Sequence, residues 1–171
     1  MKEAIRLGFV AGVLAIGWQL SDLAFETLYF AFFMYYAFFL LGQKYKLQYL
    51  RIASLLQMSL LLGWRIGFNV AENVLMLEEM PYADILGIVL HGSGMFFGIA
   101  LWPLAAVLGN VVRLASVLFV STDIVGLGLL VDRLIDVPFA LFGTLSLFAV
   151  VLNYGSLISL VFLLHKAAKN L

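Results

Sequence analysis

The stretch that decides the fold runs from Ala83 to Trp102, ADILGIVLHGSGMFFGIALW. After Asp84 it carries no charged residue, only the imidazole of His91. About 20 predominantly apolar residues suffice for a helix to cross a hydrocarbon core roughly 30 Å thick. Several other runs in the chain reach that length. Of the 171 residues, 64% are hydrophobic and 12% are charged, and the mean hydropathy is +1.09. Soluble domains hold roughly 45–50% apolar and about 25% charged residues. The chain therefore reads as an integral membrane protein, a single transmembrane domain over residues 1–171, with no room for a soluble domain. The first apolar run follows Lys2 and Arg6 but shows no clear small-residue cleavage site before Asp22, so it reads as a retained helix rather than a signal peptide. The chain has no cysteine, which excludes disulfides and thiolate metal sites. Its zero formal charge argues against nucleic acid as a partner.

Cutting at charge clusters and prolines predicts an all-α bundle of six transmembrane helices, near residues 4–20, 23–42, 50–77, 83–110, 113–131 and 137–165. Lys2, Arg6, Lys44, Lys46, Arg51, Arg113, Lys166 and Lys169 then fall on one side, which the positive-inside rule makes the cytoplasm. Both termini are expected there, in the cell membrane. The opposite loops hold Asp22, Glu26, Glu78, Glu79, Asp84, Asp132 and Asp136, with Arg133 as their single basic residue. Short connections predict antiparallel neighbours. Spans 1 to 3 do not align with spans 4 to 6, which disfavours an inverted-repeat transporter.

Polar side chains within the spans are the candidate functional residues, because an ionisable group at the bilayer centre costs at least about 2.5–3.5 kcal/mol. On the third span, Ser54, Gln57, Leu61, Arg65, Asn69 and Glu72 recur at spacings of three and four and share one helical face. That places the third span at the centre of the bundle, its polar stripe turned from lipid. Arg65 lies about 20 Å from the cytoplasmic end and Asp123, in VSTDIVG, about 15 Å up its own helix. An Arg65–Asp123 ion pair is expected, with Glu72 as the competing partner. On the fourth span, Gly87, His91, Gly94 and Gly98 form a face that lets another helix approach closely. His91 should therefore face a neighbouring helix, as a packing residue or as a ligand.

Gln19, Asp22 and Glu26 share one turn at the outer ends of the first two spans, where Asp22 or Ser21 also suits a helix cap. Glu26, Glu72 and His91 are all expected in the outer half of the membrane, and two carboxylates with an imidazole can hold a divalent metal such as zinc and activate water. Other features are plainer. Asn153, Ser156 and Ser159 suggest an interhelical hydrogen-bonding face, and the aromatic run of residues 28–39 a packing and lipid-facing surface. HGSG at 91–94 is no serine-nucleophile site, since His91 and Ser93 point to different helix faces. His165 sits at the cytoplasmic boundary.

GFNVAENVLML at 67–77, followed by HGSGMFFG at 91–98 on the next span, resembles the second and third motifs of the PrsW family of membrane proteases, relatives of the CAAX-processing proteases. The family's first motif, EExxK, is degenerate here. FETLY at 25–29 has Thr27 where the second glutamate stands, and no lysine follows at the motif's spacing. The resemblance spans roughly residues 25 to 100. It implies that Glu26, Glu72 and His91 are the functional carboxylates and histidine, with Asn73 beside Glu72, in a divergent relative that has kept or lost proteolysis of a transmembrane peptide. Two other functions suit the same residues. A small transporter or solute-binding subunit would use Arg65, Asn69, Asn73 and Asp123 as its binding residues. A structural subunit would pair every buried polar group internally and bind a membrane-protein partner.

Overall fold

The computed structural model describes the chain except for residues 20–23, 74–82, 136–138 and 171, and except for the side chains of 18–19, 24–29, 65, 68–73, 83–84, 131–135 and 139–145. Helices α1 (Lys2–Gln19), α2 (Ala24–Lys44), α3 (Gln48–Asn73), α4 (Ala83–Leu101), α6 (Asn110–Ile135) and α7 (Phe139–Lys169) are long, and α5 (Ala105–Leu108) is a single turn. No strand occurs among the described residues. Three stretches among them, Ile85–Leu108, Asn110–Leu130 and Ser146–Lys169, are long and apolar enough to cross a membrane.

Each long helix packs on the next, and α7 packs back on α1, so the six close into a ring. Paired contacts fix the directions. Phe9 meets His165 while Gly12 meets Val161, so α1 and α7 are antiparallel. Gly87 against Leu130 and Gly98 against Val120 set α4 antiparallel to α6 in the same way. The seams are narrow because one side of each is small. Gly8, Ala11, Gly12 and Ala15 form a buried face on α1 that lets α2 and α7 come close.

Inside the ring, Phe97 of α4 is fully buried and has three aromatic neighbours in edge-to-face geometry: Tyr35 at 4.9 Å, Phe38 at 5.4 Å and Phe119 at 5.2 Å. Leu41, Leu50, Leu101, Leu104, Leu108, Leu160 and Leu164 continue this core. The aromatic run thus divides between two surroundings: Tyr35 and Phe38 are buried, whereas Phe33 and Tyr36 are exposed. Leu7, Phe33, Leu62, Ile99, Ile124 and Phe162 put large exposed apolar side chains on every long helix.

Two features depart from the sequence expectation. The fourth span breaks into a 3-10 turn over Trp102–Leu104, then α5. Pro103 has no N–H to continue the helical ladder, and its ring crowds the carbonyl four residues back. The chain then reverses at Gly109 alone, whose φ of 78° a side chain would oppose. The third span is a ring member and not a central helix: Ser54 and Gln57 face inward, but Leu55, Leu62 and Ile66 are exposed. At the α2–α3 turn, Leu47 N–H donates to the Gly42 carbonyl at 2.8 Å and Lys46 N–H to Gln43 at 3.4 Å. This is a Schellman cap, with Lys46 at φ 57° in the place glycine usually takes.

Candidate functional site

The glycine-bearing face of α4 lies against α6, as its spacing predicted. Gly94 leaves room for the Asp123 carboxylate, and Gly126 leaves room for the His91 ring. A Cβ at either glycine would overlap the polar group opposite. His91-x-x-Gly94 on one helix and Asp123-x-x-Gly126 on the other therefore interlock, each polar side chain seated over the partner's glycine. Antiparallel packing makes two equal i, i+3 spacings complementary in this way.

The interlock brings His91 Nδ1 to 3.0 Å from Asp123 Oδ1. A hydrogen bond between imidazole Nδ1 and a carboxylate is the arrangement by which a carboxylate fixes the orientation of a functional imidazole. The two side chains differ in access: His91 is 32% exposed and Asp123 12%. Asp123 Oδ2 is buried and has no hydrogen-bond partner among the described residues.

Both residues line a cavity of about 590 Å³ between α1, α2, α4, α6 and α7. Tyr35, Thr122, Ser146 and Asn153 add polar groups to its wall. The Thr122 hydroxyl already donates to the Leu118 carbonyl at 2.8 Å, so it meets the cavity as an acceptor. Beside the cavity, Gln57 Nε2 of α3 donates to Ser93 Oγ of α4 at 3.0 Å, and Ser93 donates to the Leu90 carbonyl at 2.8 Å. This lower part of the α3 stripe ties two helices together.

The expected Arg65–Asp123 ion pair has one described partner. Asp123 meets His91, and the Arg65 side chain lies outside the described residues. The same holds for Glu26, Glu72, Asn69 and Asn73, whose backbones are in α2 and α3. Of the Glu26, Glu72 and His91 set, only His91 is described, and no cluster of three metal-capable side chains occurs among the described residues. The Ser156 and Ser159 hydroxyls bond carbonyls of their own helix, Asn153 at 2.8 Å and Ser156 at 2.7 Å, instead of crossing to a neighbour. A hydroxyl three residues beyond a helical carbonyl reaches it without any partner helix.

Sequence reasoning missed the His91–Asp123 pair. The signal available was the repeated polar-x-x-Gly spacing on consecutive spans. No protein-family model, curated protein or solved structure matches the chain.

Proposed function

We propose that the chain is a six-span protein of the cell membrane, both termini cytoplasmic, that binds a small polar solute in the cavity through His91 and Asp123. The exposed apolar side chains on all six long helices support six spans, since a water-soluble protein rarely exposes such continuous apolar surface. The basic residues Lys2, Arg6, Lys46, Arg113 and Lys169 support the orientation. The observation that carries the solute reading is a cavity of about 590 Å³ lined by an imidazole, a carboxylate and an amide among mostly apolar side chains. That volume is typical of small-molecule sites, which combine apolar walls with a few converging polar groups. Ionisable groups within a membrane mark solute or proton pathways more often than packing. Arg65, Asn69 and Asn73 on α3 are further candidate binding residues.

The test is uptake or binding by the purified protein in proteoliposomes across a panel of small polar solutes. The reading expects at least one solute whose binding is lost in both His91→Gln and Asp123→Asn while the proteins stay folded. Binding that survives both substitutions rejects it.

A second reading is a PrsW-like hydrolase acting on a transmembrane peptide in the outer half of the membrane. One observation favours it: Asp123 holds His91 by Nδ1, as a general base is held. Glu26 and Glu72 would supply the carboxylates, with a divalent metal such as zinc as cofactor. Here Glu72→Gln should abolish cleavage of a membrane-anchored peptide and leave solute binding untouched.

A further inference from the structure

At the end of the bundle where α1 begins and α7 ends, a groove of about 510 Å³ lies between the two helices. Lys2, Arg6 and Lys169 supply its charge, and Phe9, Val10 and Ala168 its apolar floor. The Phe9 ring packs on His165 at 5.1 Å, which braces that floor. The three cations differ from Lys44, Arg51 and Arg113 at this end, which lie over the aromatic rings of Tyr45, Phe39 and Trp102 respectively. Among the described residues, Lys2, Arg6 and Lys169 have no ion pair and no ring partner, and the sole ion pair is His91–Asp123. Glu3, the nearest carboxylate in sequence, does not line the groove.

Three cations without an ion pair among the described residues, above an apolar floor, match one chemistry: an anion covalently joined to a hydrocarbon chain. We propose that the α1–α7 groove seats an anionic phospholipid of the inner leaflet, its headgroup phosphate among Lys2, Arg6 and Lys169 and its acyl chain along Phe9 and Val10. Basic pockets between transmembrane helices on the cytoplasmic side bind lipid headgroups by this combination. The proposal rests on the six-span reading and is independent of the cavity.

The full chain would be reconstituted into phosphatidylcholine vesicles containing a minor fraction of spin-labelled phosphatidylglycerol or, in a parallel arm, spin-labelled phosphatidylcholine. Flotation with the vesicles tests the six-span reading separately, and a chain that does not float overturns both. The expected result is a larger motionally restricted fraction for phosphatidylglycerol. Arg6→Gln or Lys169→Gln should each lower that preference by up to roughly fivefold, the equivalent of about 1 kcal/mol per cation. The triple variant Lys2→Gln/Arg6→Gln/Lys169→Gln should approach the phosphatidylcholine value, while Lys46→Gln/Arg51→Gln, in the groove between α2 and α3, should leave the preference unchanged. Equal restriction of the two lipids by the wild type overturns the proposal. So does an equal loss in the Lys46/Arg51 variant, which would mark a diffuse surface charge. Complete displacement of the lipid by inorganic phosphate would assign the groove to a free anion and overturn it as well.

Discussion

Replacing Gly94 by alanine puts a methyl group where the Asp123 carboxylate now sits, since all three carboxyl atoms lie within contact of the new Cβ. The carboxyl group must swing away, and its bond to His91 breaks with it. Overpacking of this kind costs about 1–3 kcal/mol, and an interhelical hydrogen bond in a membrane contributes about 0.6–1.7 kcal/mol. Alanine recovers about 1 kcal/mol of helix propensity over glycine. The net loss should be about 1–4 kcal/mol. Gly92→Ala provides the internal control: it lies two residues away with open space around its Cβ, so it should stabilise by up to about 1 kcal/mol. Equilibrium unfolding in mixed detergent micelles, followed by loss of helical circular dichroism, would measure both. Asp123→Ala placed on Gly94→Ala removes the clash and should restore the steric share, about 1–3 kcal/mol. If Gly94→Ala is as stable as Gly92→Ala, or the second substitution restores nothing, the interlocked α4–α6 geometry is wrong.

Three other outcomes follow from the same contacts. A double-mutant cycle between His91→Gln and Asp123→Asn should give a coupling of about 0.6–1.7 kcal/mol in the same unfolding assay, and a coupling near zero would deny that the bond contributes. Ser93→Ala should destabilise by about 1–3 kcal/mol because it strands the buried Gln57 amide, whereas Gln57→Leu on that background should recover part of the loss. Single cysteines at Lys46 and Lys169, unambiguous in a chain without native cysteine, should react with a membrane-impermeant thiol reagent only from the cytoplasmic side, and labelling from outside would reverse the orientation.

The helices themselves were legible because each needs only a long apolar run, and the turned-in face of α4 because glycine spacing is a local property. The break at Trp102–Pro103 was hidden within an apolar stretch that looked continuous, although Pro103 was the clue. The His91–Asp123 pair was missed for a geometric reason. His91 was assigned only to the outer half of the membrane and Asp123 by its distance along its own helix, so the two depths had no common origin. Ser156 and Ser159 misled because polar spacing shows which face a hydroxyl occupies, not which carbonyl it chooses. The central placement of α3 failed for a related reason: a polar stripe shows that a helix has an inner face, and every member of a closed ring has one.

Ring closure has a consequence for biosynthesis. Five of its six seams join long helices that follow one another along the chain, so each can form as soon as its second helix has been made. The α1–α7 seam joins the first helix to the last. Until α7 is made, the small-residue face of α1 at Gly12 lacks the Val161 side chain that packs on it, and the wall carrying Asn153 is missing from the cavity. A nascent chain stalled before α7 would hold the His91–Asp123 interlock in a trough with one wall missing. The cavity is walled in only when α7 packs against α1, so an unfilled face at Gly12 marks a chain in which that seam has not yet closed.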